Sequence, residues 1–226
     1  MRLDEIAEKY VTDKRILEHN YVQYYEKYFE GLRGKKLKIL EIGIYRPCVQ
    51  GVKDGRQVGA SLKTWYDYFP DAEIYGVDLG DFTDVDNERI KTTICNQSYR
   101  EDGDDYPGLS SVIDEYGGDF DIIIDDGGHT MEQQLVTLGY MFKYLNSDGI
   151  FVVEDLHTSY VAPHAYNPTG TKNTALNVLQ EFQRSGKIVS EFMTDSEIGY
   201  LNSHMDTCVI HKGNHSEISF ITKKNG

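Results

Sequence analysis

Apolar residues recur along this chain at two periods, and the switches between them mark out its elements. Leu3, Ile6, Ala7 and Tyr10 stand at helical spacing. Tyr24, Tyr25, Tyr28 and Phe29 repeat the pattern between Tyr21 and Leu32, so two short helices are expected before any strand. Compact apolar runs rich in β-formers then appear at 38–43, 73–78, 90–94, 120–125 and 149–153, and helical patterns occupy 60–69, 106–116 and 131–145. On the last of these Leu135, Leu138, Met141, Phe142 and Leu145 share one face and are assigned to the core. A further helix is expected over 171–184, from Leu176, Leu179 and Phe182. The tail closes with apolar runs at 207–212 and 216–222, joined through Gly213-Asn214 as an antiparallel hairpin. The pattern does not assign Ile198 to Asn202. Strand alternating with helix predicts an α/β fold, a mostly parallel sheet covered on both faces.

Two of the strands end alike. Phe120-Asp121-Ile122-Ile123-Ile124 runs into Asp125-Asp126-Gly127-Gly128-His129, and Ile150-Phe151-Val152-Val153 runs into Glu154-Asp155-Leu156-His157. As parallel neighbours they deliver four carboxylates to one edge of the sheet, where open α/β folds bind ligands. Carboxylates without a cysteine cluster favour a hard cation, Mg²⁺ first, with Mn²⁺ or Ca²⁺ as alternatives. Three carboxylates from two strands leave coordination positions for water or substrate oxygens, and His129 stands where it can take a proton from a bound hydroxyl. The plainer reading, strand-end caps and helix N-terminal charges, accounts poorly for all four acids at once.

Elsewhere the chain offers a nucleotide-type cofactor site. Glu41-Ile42-Gly43 ends the first strand as a cofactor loop would, and the long loop 44–58 holds Gly51 and Gly55 ahead of Gly59 without the compact dinucleotide fingerprint. Asp78 ends the second strand, where an acid commonly accepts from both hydroxyls of a cofactor ribose; a surface turn is the alternative. Asn96 and Gln97 follow the third strand with amides suited to the edge of an adenine ring. Ser61 either caps its helix or meets an anionic group at the positive end of the dipole. Thr12-Asp13-Lys14, His19 and Tyr21 lie between the first two helices, where a solvated turn explains them as well as a site does.

Length and charge narrow the classes. A chain of 226 residues is expected to form one domain, 1–226. Its net charge of −14 argues against a nucleic-acid partner, and no basic amphipathic stretch suits an anionic membrane. Membrane insertion is not expected, since no run approaches the roughly 18 apolar residues of a span, and Met1-Arg2-Leu3-Asp4-Glu5 lacks the apolar core of a signal peptide. Three dispersed cysteines, Cys48, Cys95 and Cys208, make no disulfide framework, and a cytoplasmic setting is expected.

Taken as a set, Glu41-Ile42-Gly43, Gly59-Ala60-Ser61-Leu62-Lys63-Thr64-Trp65, Tyr75-Gly76-Val77-Asp78, Ile124-Asp125-Asp126-Gly127-Gly128-His129 and Val153-Glu154-Asp155-Leu156-His157-Thr158-Ser159-Tyr160 resemble the catalytic domain of metal-dependent sugar O-methyltransferases of the mycinamicin and macrocin group. The resemblance runs from about Leu3 to Val209 and includes Ile6-Ala7, Lys9-Tyr10, Thr12-Asp13-Lys14, and His19 with Tyr21. It implies a Rossmann-like class I S-adenosylmethionine fold, with a seven-stranded sheet whose last strand is antiparallel. Carried over by position, Asp126, Glu154 and Asp155 match the metal ligands and His129 the general base. Asp78 matches the acid on the cofactor ribose, Glu41 and Gly43 the first cofactor loop, and Ser61 a contact near the methionine end. Asp125 holds the cofactor amine or orients the metal shell. Residues 1–34 are expected to form a helical cap over the site, from which Thr12, Lys14 and Tyr21 reach the cofactor, as Gln97 does from the third strand. Two departures stand out: Tyr45-Arg46-Pro47-Cys48 where relatives are glycine-rich, and Asn96 where an acid is usual. No counterpart is expected of the N-terminal domain that some relatives use for assembly, so their oligomeric state does not carry over, and a homo-oligomer stays open.

The implied reaction is in-line methyl transfer from S-adenosylmethionine to a sugar hydroxyl on a glycoside, a polysaccharide precursor or a natural product. Two adjacent hydroxyls chelate the metal, His129 removes a proton from one, and the protein otherwise aligns oxygen, methyl carbon and sulfur. A phenolic or catechol-like acceptor would chelate the metal in the same way. A metal-dependent hydrolase would use the same acids, but it has no use for an adenosine site at Glu41-Ile42-Gly43 and Asp78. A noncatalytic nucleotide-binding module would not need His129.

Overall fold

The computed structural model describes residues 1–44 and 57–225; Gly51, Gly55 and the Tyr45-Arg46-Pro47-Cys48 departure lie outside the described residues. Every apolar run becomes a strand: β1 (Lys38–Ile42), β2 (Glu73–Asp78), β3 (Ile90–Ile94), β4 (Phe120–Asp125), β5 (Leu145–Val153), β6 (Met205–Lys212) and β7 (Glu217–Lys223). They form one seven-stranded sheet in the order β3-β2-β1-β4-β5-β7-β6. The first five are parallel, while β7 runs antiparallel to both β5 and β6. The chain steps outward from β1 to β3 and then returns to lay β4 on the other side of β1. That reversal opens a crevice at the carboxyl ends of β1 and β4.

Around the sheet lie α1 (Leu3–Tyr10), α2 (Val22–Phe29), α3 (Ala60–Tyr68), α4 (Leu109–Tyr116), α5 (Met131–Met141), α6 (Pro163–Tyr166), α7 (Ala175–Ser185) and α8 (Asp195–His204). Successive strand residues feed opposite cores. Ile122, Ile124, Ile150 and Val152 pack on one face in the cluster that contains Tyr25, Phe29 and Trp65. Ile123, Phe151 and Val153 pack on the other with Leu135, Leu138, Met141 and Leu179. Because both faces are covered, these strands read as unbroken apolar runs rather than as alternation. Each such side chain contributes about 1.5–3 kcal/mol when fully buried.

Boundaries moved where local chemistry competes with periodicity. α4 starts at Leu109 rather than at 106, since Pro107 disfavours helix before it and Gly108 caps the helix in an extended conformation. α7 starts at Ala175, where the Thr174 hydroxyl accepts from the Asn177 N–H. The unassigned Ile198–Asn202 stretch is helical, because Thr194 and Glu197 form a capping box that starts α8. Among the described residues, no helix is long and apolar enough to cross a membrane.

Candidate active site

The backbone ladder continues past the strand ends and sets the site. Asp126 N–H donates to Ile42 O at 2.8 Å, Glu154 N–H to Asp125 O at 3.0 Å, and Gly43 N–H to Val77 O at 2.8 Å. Gly43 has φ +96°, and a Cβ there would stand 2.0 Å from Asp126 O, so glycine alone lets the two strand ends touch. His129 and Asp155 adopt left-handed backbone, with φ of 57° and 55°. Such strain costs about 1–3 kcal/mol per non-glycine residue and gathers at functional sites. Here it accompanies a direct meeting of the two side chains: His129 Nε2 lies 3.4 Å from Asp155 Oδ2 and 3.8 Å from Asp126 Oδ1.

Asp126, His129 and Asp155 each bring one ligand-capable atom within 4.8 Å of the others. Two carboxylates and an imidazole suit a divalent cation that prefers oxygen, and the buried Nδ1 of His129 has no hydrogen-bond partner among the described residues. Glu154 is turned elsewhere. Its Oε1 lies 2.8 Å from Lys14 Nζ and also accepts from the Tyr25 hydroxyl. The Lys14 ammonium, 1% exposed, stands 2.5 Å from Asp126 Oδ2 and 3.5 Å from Glu41 Oε1 as well. Glu41 Oε2 accepts from Trp65 Nε1 at 3.0 Å, and Tyr21 donates its hydroxyl to Asp155 Oδ1 at 2.9 Å.

Burial and crowding set the charges. Burial, reinforced by Asp126, pushes Glu154 well above the ordinary carboxylate range, with Lys14 opposing. Burial also raises Asp126, and it lifts Glu41 to about 7 and Asp125 to about 6. Burial alone would lower Lys14, but the carboxylates of Asp126, Glu154 and Glu41 hold it well above the usual lysine value. Asp155 is the exception. Burial works against its charge, yet His129, His19 and the Tyr21 hydroxyl keep it below the ordinary range. His157 Nδ1 sits 2.6 Å from Ser216 Oγ and 3.9 Å from Asp155 Oδ1, and burial lowers its pKa.

A cavity of about 330 Å³ opens beside this cluster, within the range of small-molecule sites. Of the residues expected at a cofactor, Thr12, Gly43, Ser61, Asp78 and Gln97 line it, together with Asp126, His129 and Asp155. Asp78 accepts from Ile44 N–H at 2.8 Å and from Gly80 N–H at 3.0 Å, which fixes its carboxylate at the cavity edge. Lys14, Tyr21, Glu41 and Asp125 do not line the cavity; their side chains are buried in the network behind it. The Gln97 amide, expected at the edge of an adenine ring, makes its hydrogen bonds within the protein. It donates to Asp125 Oδ1 at 3.0 Å and to Thr137 Oγ1 at 3.1 Å, and accepts from Gly128 N–H at 2.7 Å. With all of those bonds made, Gln97 pins the loop that carries Asp126 to His129.

Tyr25, Trp65 and Gln134 carry no site role in the sequence pattern, yet the first two bond to Glu154 and Glu41, and Gln134 Nε2 donates to the Glu154 carbonyl at 2.8 Å. The usable signal was chemical. A buried tyrosine or tryptophan in a helix needs a partner for its polar tip, and here those partners are site acids.

No protein-family model matches the chain. It is 30% identical over 226 aligned positions to the 8-demethyl-8-(2-methoxy-alpha-L-rhamnosyl)-tetracenomycin-C 3'-O-methyltransferase of Streptomyces olivaceus, covering 95% of this chain and 55% of that protein. It is 33% identical over 158 residues to the mycinamicin VI 2''-O-methyltransferase of Micromonospora griseorubida, covering 70% of this chain and 37% of that one. Among solved structures, the MycE methyltransferase of the mycinamycin biosynthetic pathway, in complex with Mg, SAH and mycinamycin VI, superposes with a TM-score of 0.78 at 26% identity. That match covers all of this chain and 55% of the other. The chain thus spans about half the length of the relatives it matches, or less.

Proposed function

Since the chain is a homologue of the macrolide and tetracenomycin sugar O-methyltransferases and has the class I methyltransferase fold, we propose that it transfers a methyl group from S-adenosylmethionine to a sugar hydroxyl with Mg²⁺ as cofactor. The observation that carries this reading is the oxygen-rich cluster of Asp126, His129 and Asp155 on the rim of the cavity at the β1–β4 crevice. Asp126 and Asp155 would hold the cation, while Glu154, expected as the third ligand, is turned toward Lys14 and the Tyr25 hydroxyl instead. When bound, the cation supplies Lewis acidity that makes a sugar hydroxyl easier to deprotonate.

The remaining work falls to the chain itself. His129 accepts the proton at Nε2, and the carboxylates of Asp155 and Asp126, 3.4 and 3.8 Å away, stabilise the imidazolium it becomes. Asp78 receives the cofactor ribose, while Thr12, Gly43 and Ser61 bound the rest of the cofactor's path. The methyl sulfonium is already a strong electrophile, so alignment of acceptor oxygen, methyl carbon and sulfur supplies most of the rate. Residues 1–34 act as a cover within one domain, 1–226, a reading supported by Thr12 and Asp13 in the cavity wall. The acceptor is a small-molecule or glycan sugar, and the reaction belongs in the cytoplasm.

Calorimetric titration with S-adenosylmethionine, with and without Mg²⁺, tests the reading, followed by transfer of labelled methyl to glycosylated acceptors. Cofactor binding and Mg²⁺-dependent transfer are expected. No binding of S-adenosylmethionine in either condition refutes the proposal.

A further inference from the structure

Asp126 and Asp155, the carboxylates of the proposed cation site, each have one oxygen held by a donor from the N-terminal segment. Lys14 Nζ lies 2.5 Å from Asp126 Oδ2 and 2.8 Å from Glu154 Oε1, and the Tyr21 hydroxyl donates to Asp155 Oδ1 at 2.9 Å. In Asp126 and Asp155 the opposite oxygen is the one that faces His129, Oδ1 at 3.8 Å and Oδ2 at 3.4 Å. Lys14 is 1% exposed and Tyr21 0%, so water does not compete for these bonds. We propose that Lys14 and Tyr21 are positioning residues for the cation: by fixing the outer oxygens of Asp126 and Asp155 they turn the inner ones toward His129 and assemble the site before the cation arrives. This rests on the reading of Asp126 and Asp155 as metal-facing. It goes further in giving the segment between α1 and α2 control over ligand geometry, and in moving Lys14 and Tyr21 from cofactor contact to ligand support.

Two effects of Lys14 oppose each other. An ammonium this close to a ligand carboxylate repels a divalent cation, so charge alone predicts tighter binding once it is removed. Its hydrogen bonds hold two carboxylate rotamers, and losing such outer partners weakens metal binding, typically by about ten- to a hundredfold. The ammonium is shared among Asp126, Glu154 and Glu41, which balances its charge locally and leaves the positioning effect dominant. Tyr21 isolates the same effect without any change of charge.

The test is Mn²⁺ affinity, read from the paramagnetic resonance signal of the free ion, for the full chain and for Tyr21→Phe and Lys14→Gln, with S-adenosylmethionine affinity measured alongside. Both substitutions are expected to weaken Mn²⁺ binding by about ten- to a hundredfold, while Tyr21→Phe leaves cofactor affinity unchanged. Unaltered Mn²⁺ affinity in Tyr21→Phe, a parallel loss of cofactor affinity in that variant, or tighter Mn²⁺ binding by Lys14→Gln overturns the positioning role and leaves the metal-dependent reading standing. Absence of Mn²⁺ binding by the unaltered chain overturns both. If Lys14→Gln fails to fold, Tyr21→Phe still decides, because it removes one oxygen and keeps the buried ring.

Discussion

Replacing Gly43 with alanine strikes the point where the end of β1 and the acid-tipped β4 touch. The added Cβ would lie 2.0 Å from the carbonyl oxygen of Asp126, 2.5 Å from its carbonyl carbon and 2.7 Å from Gly127 Cα. All three are backbone atoms, so no side-chain rotation relieves the overlap. The two segments are also tied by the 2.8 Å bond from Asp126 N–H to Ile42 O, which resists their separation. Positive φ costs a residue with a Cβ about 1–2 kcal/mol, and forced repacking of a closed interior adds about 1–3 kcal/mol, so a loss of about 2–5 kcal/mol is expected. For a chain of this length that corresponds to a fall of roughly 4–20 °C in Tm. Urea and thermal unfolding followed by far-UV circular dichroism measure it. Gly199→Ala is the control: its Cβ meets nothing within 4 Å in the exposed face of α8, and it should stabilise by about 0.5–1 kcal/mol. A Gly43→Ala variant within about 0.5 kcal/mol of the parent, the range of an ordinary surface change, would refute the claim that this approach admits only glycine.

Three further outcomes are expected. His129→Ala should lower kcat by about 10²–10⁴ with S-adenosylmethionine affinity retained; normal turnover at neutral pH would remove its role as base. Glu197, half-wrapped by the Arg100 guanidinium at 2.7 and 2.8 Å, has a carboxyl that burial would raise but that Arg100 draws below its ordinary value. Its contribution is therefore complete above the unfolded value near 4.5 and is lost as pH falls through the lower folded value, so Glu197→Gln should cost about 1–3 kcal/mol at pH 7 and progressively less on acidification. A pH-independent difference in urea unfolding would contradict this. Burial pushes the Cys95 and Cys208 thiols up to about 12, so mass mapping should find both unlabelled by iodoacetamide at pH 8 until the chain is unfolded.

Much of the fold was legible because its rules are local. Ile122 to Ile124 and Ile150 to Val153 are apolar at every position, which only a sheet covered on both faces accommodates, and the run of acids after each strand marks the edge where the apolar core gives way to polar groups. Ile198 to Asn202 was not legible, since its apolar residues fit either period. Thr194 and Glu197 decided it by capping a helix. Periodicity put Tyr25 and Trp65 in helices but says nothing of their burial or of where their polar tips point.

What the sequence determined by itself is therefore the element order, the two-sided cover of the sheet and the gathering of Asp125, Asp126, Glu154 and Asp155 at one edge, all consequences of short-range pattern and strand direction. Which oxygen of which acid faces the site was decided only by the tertiary structure. The partners that settle it are remote in the chain: Lys14 stands 112 residues from Asp126, and Tyr25 stands 129 residues from Glu154. Such pairs meet because the sheet sets β4 and β5 side by side while α1 and α2 lay the intervening segment against their ends. A carboxylate buried there takes the orientation in which the donors the fold sets against it are satisfied, and no local pattern in the sequence carries that information.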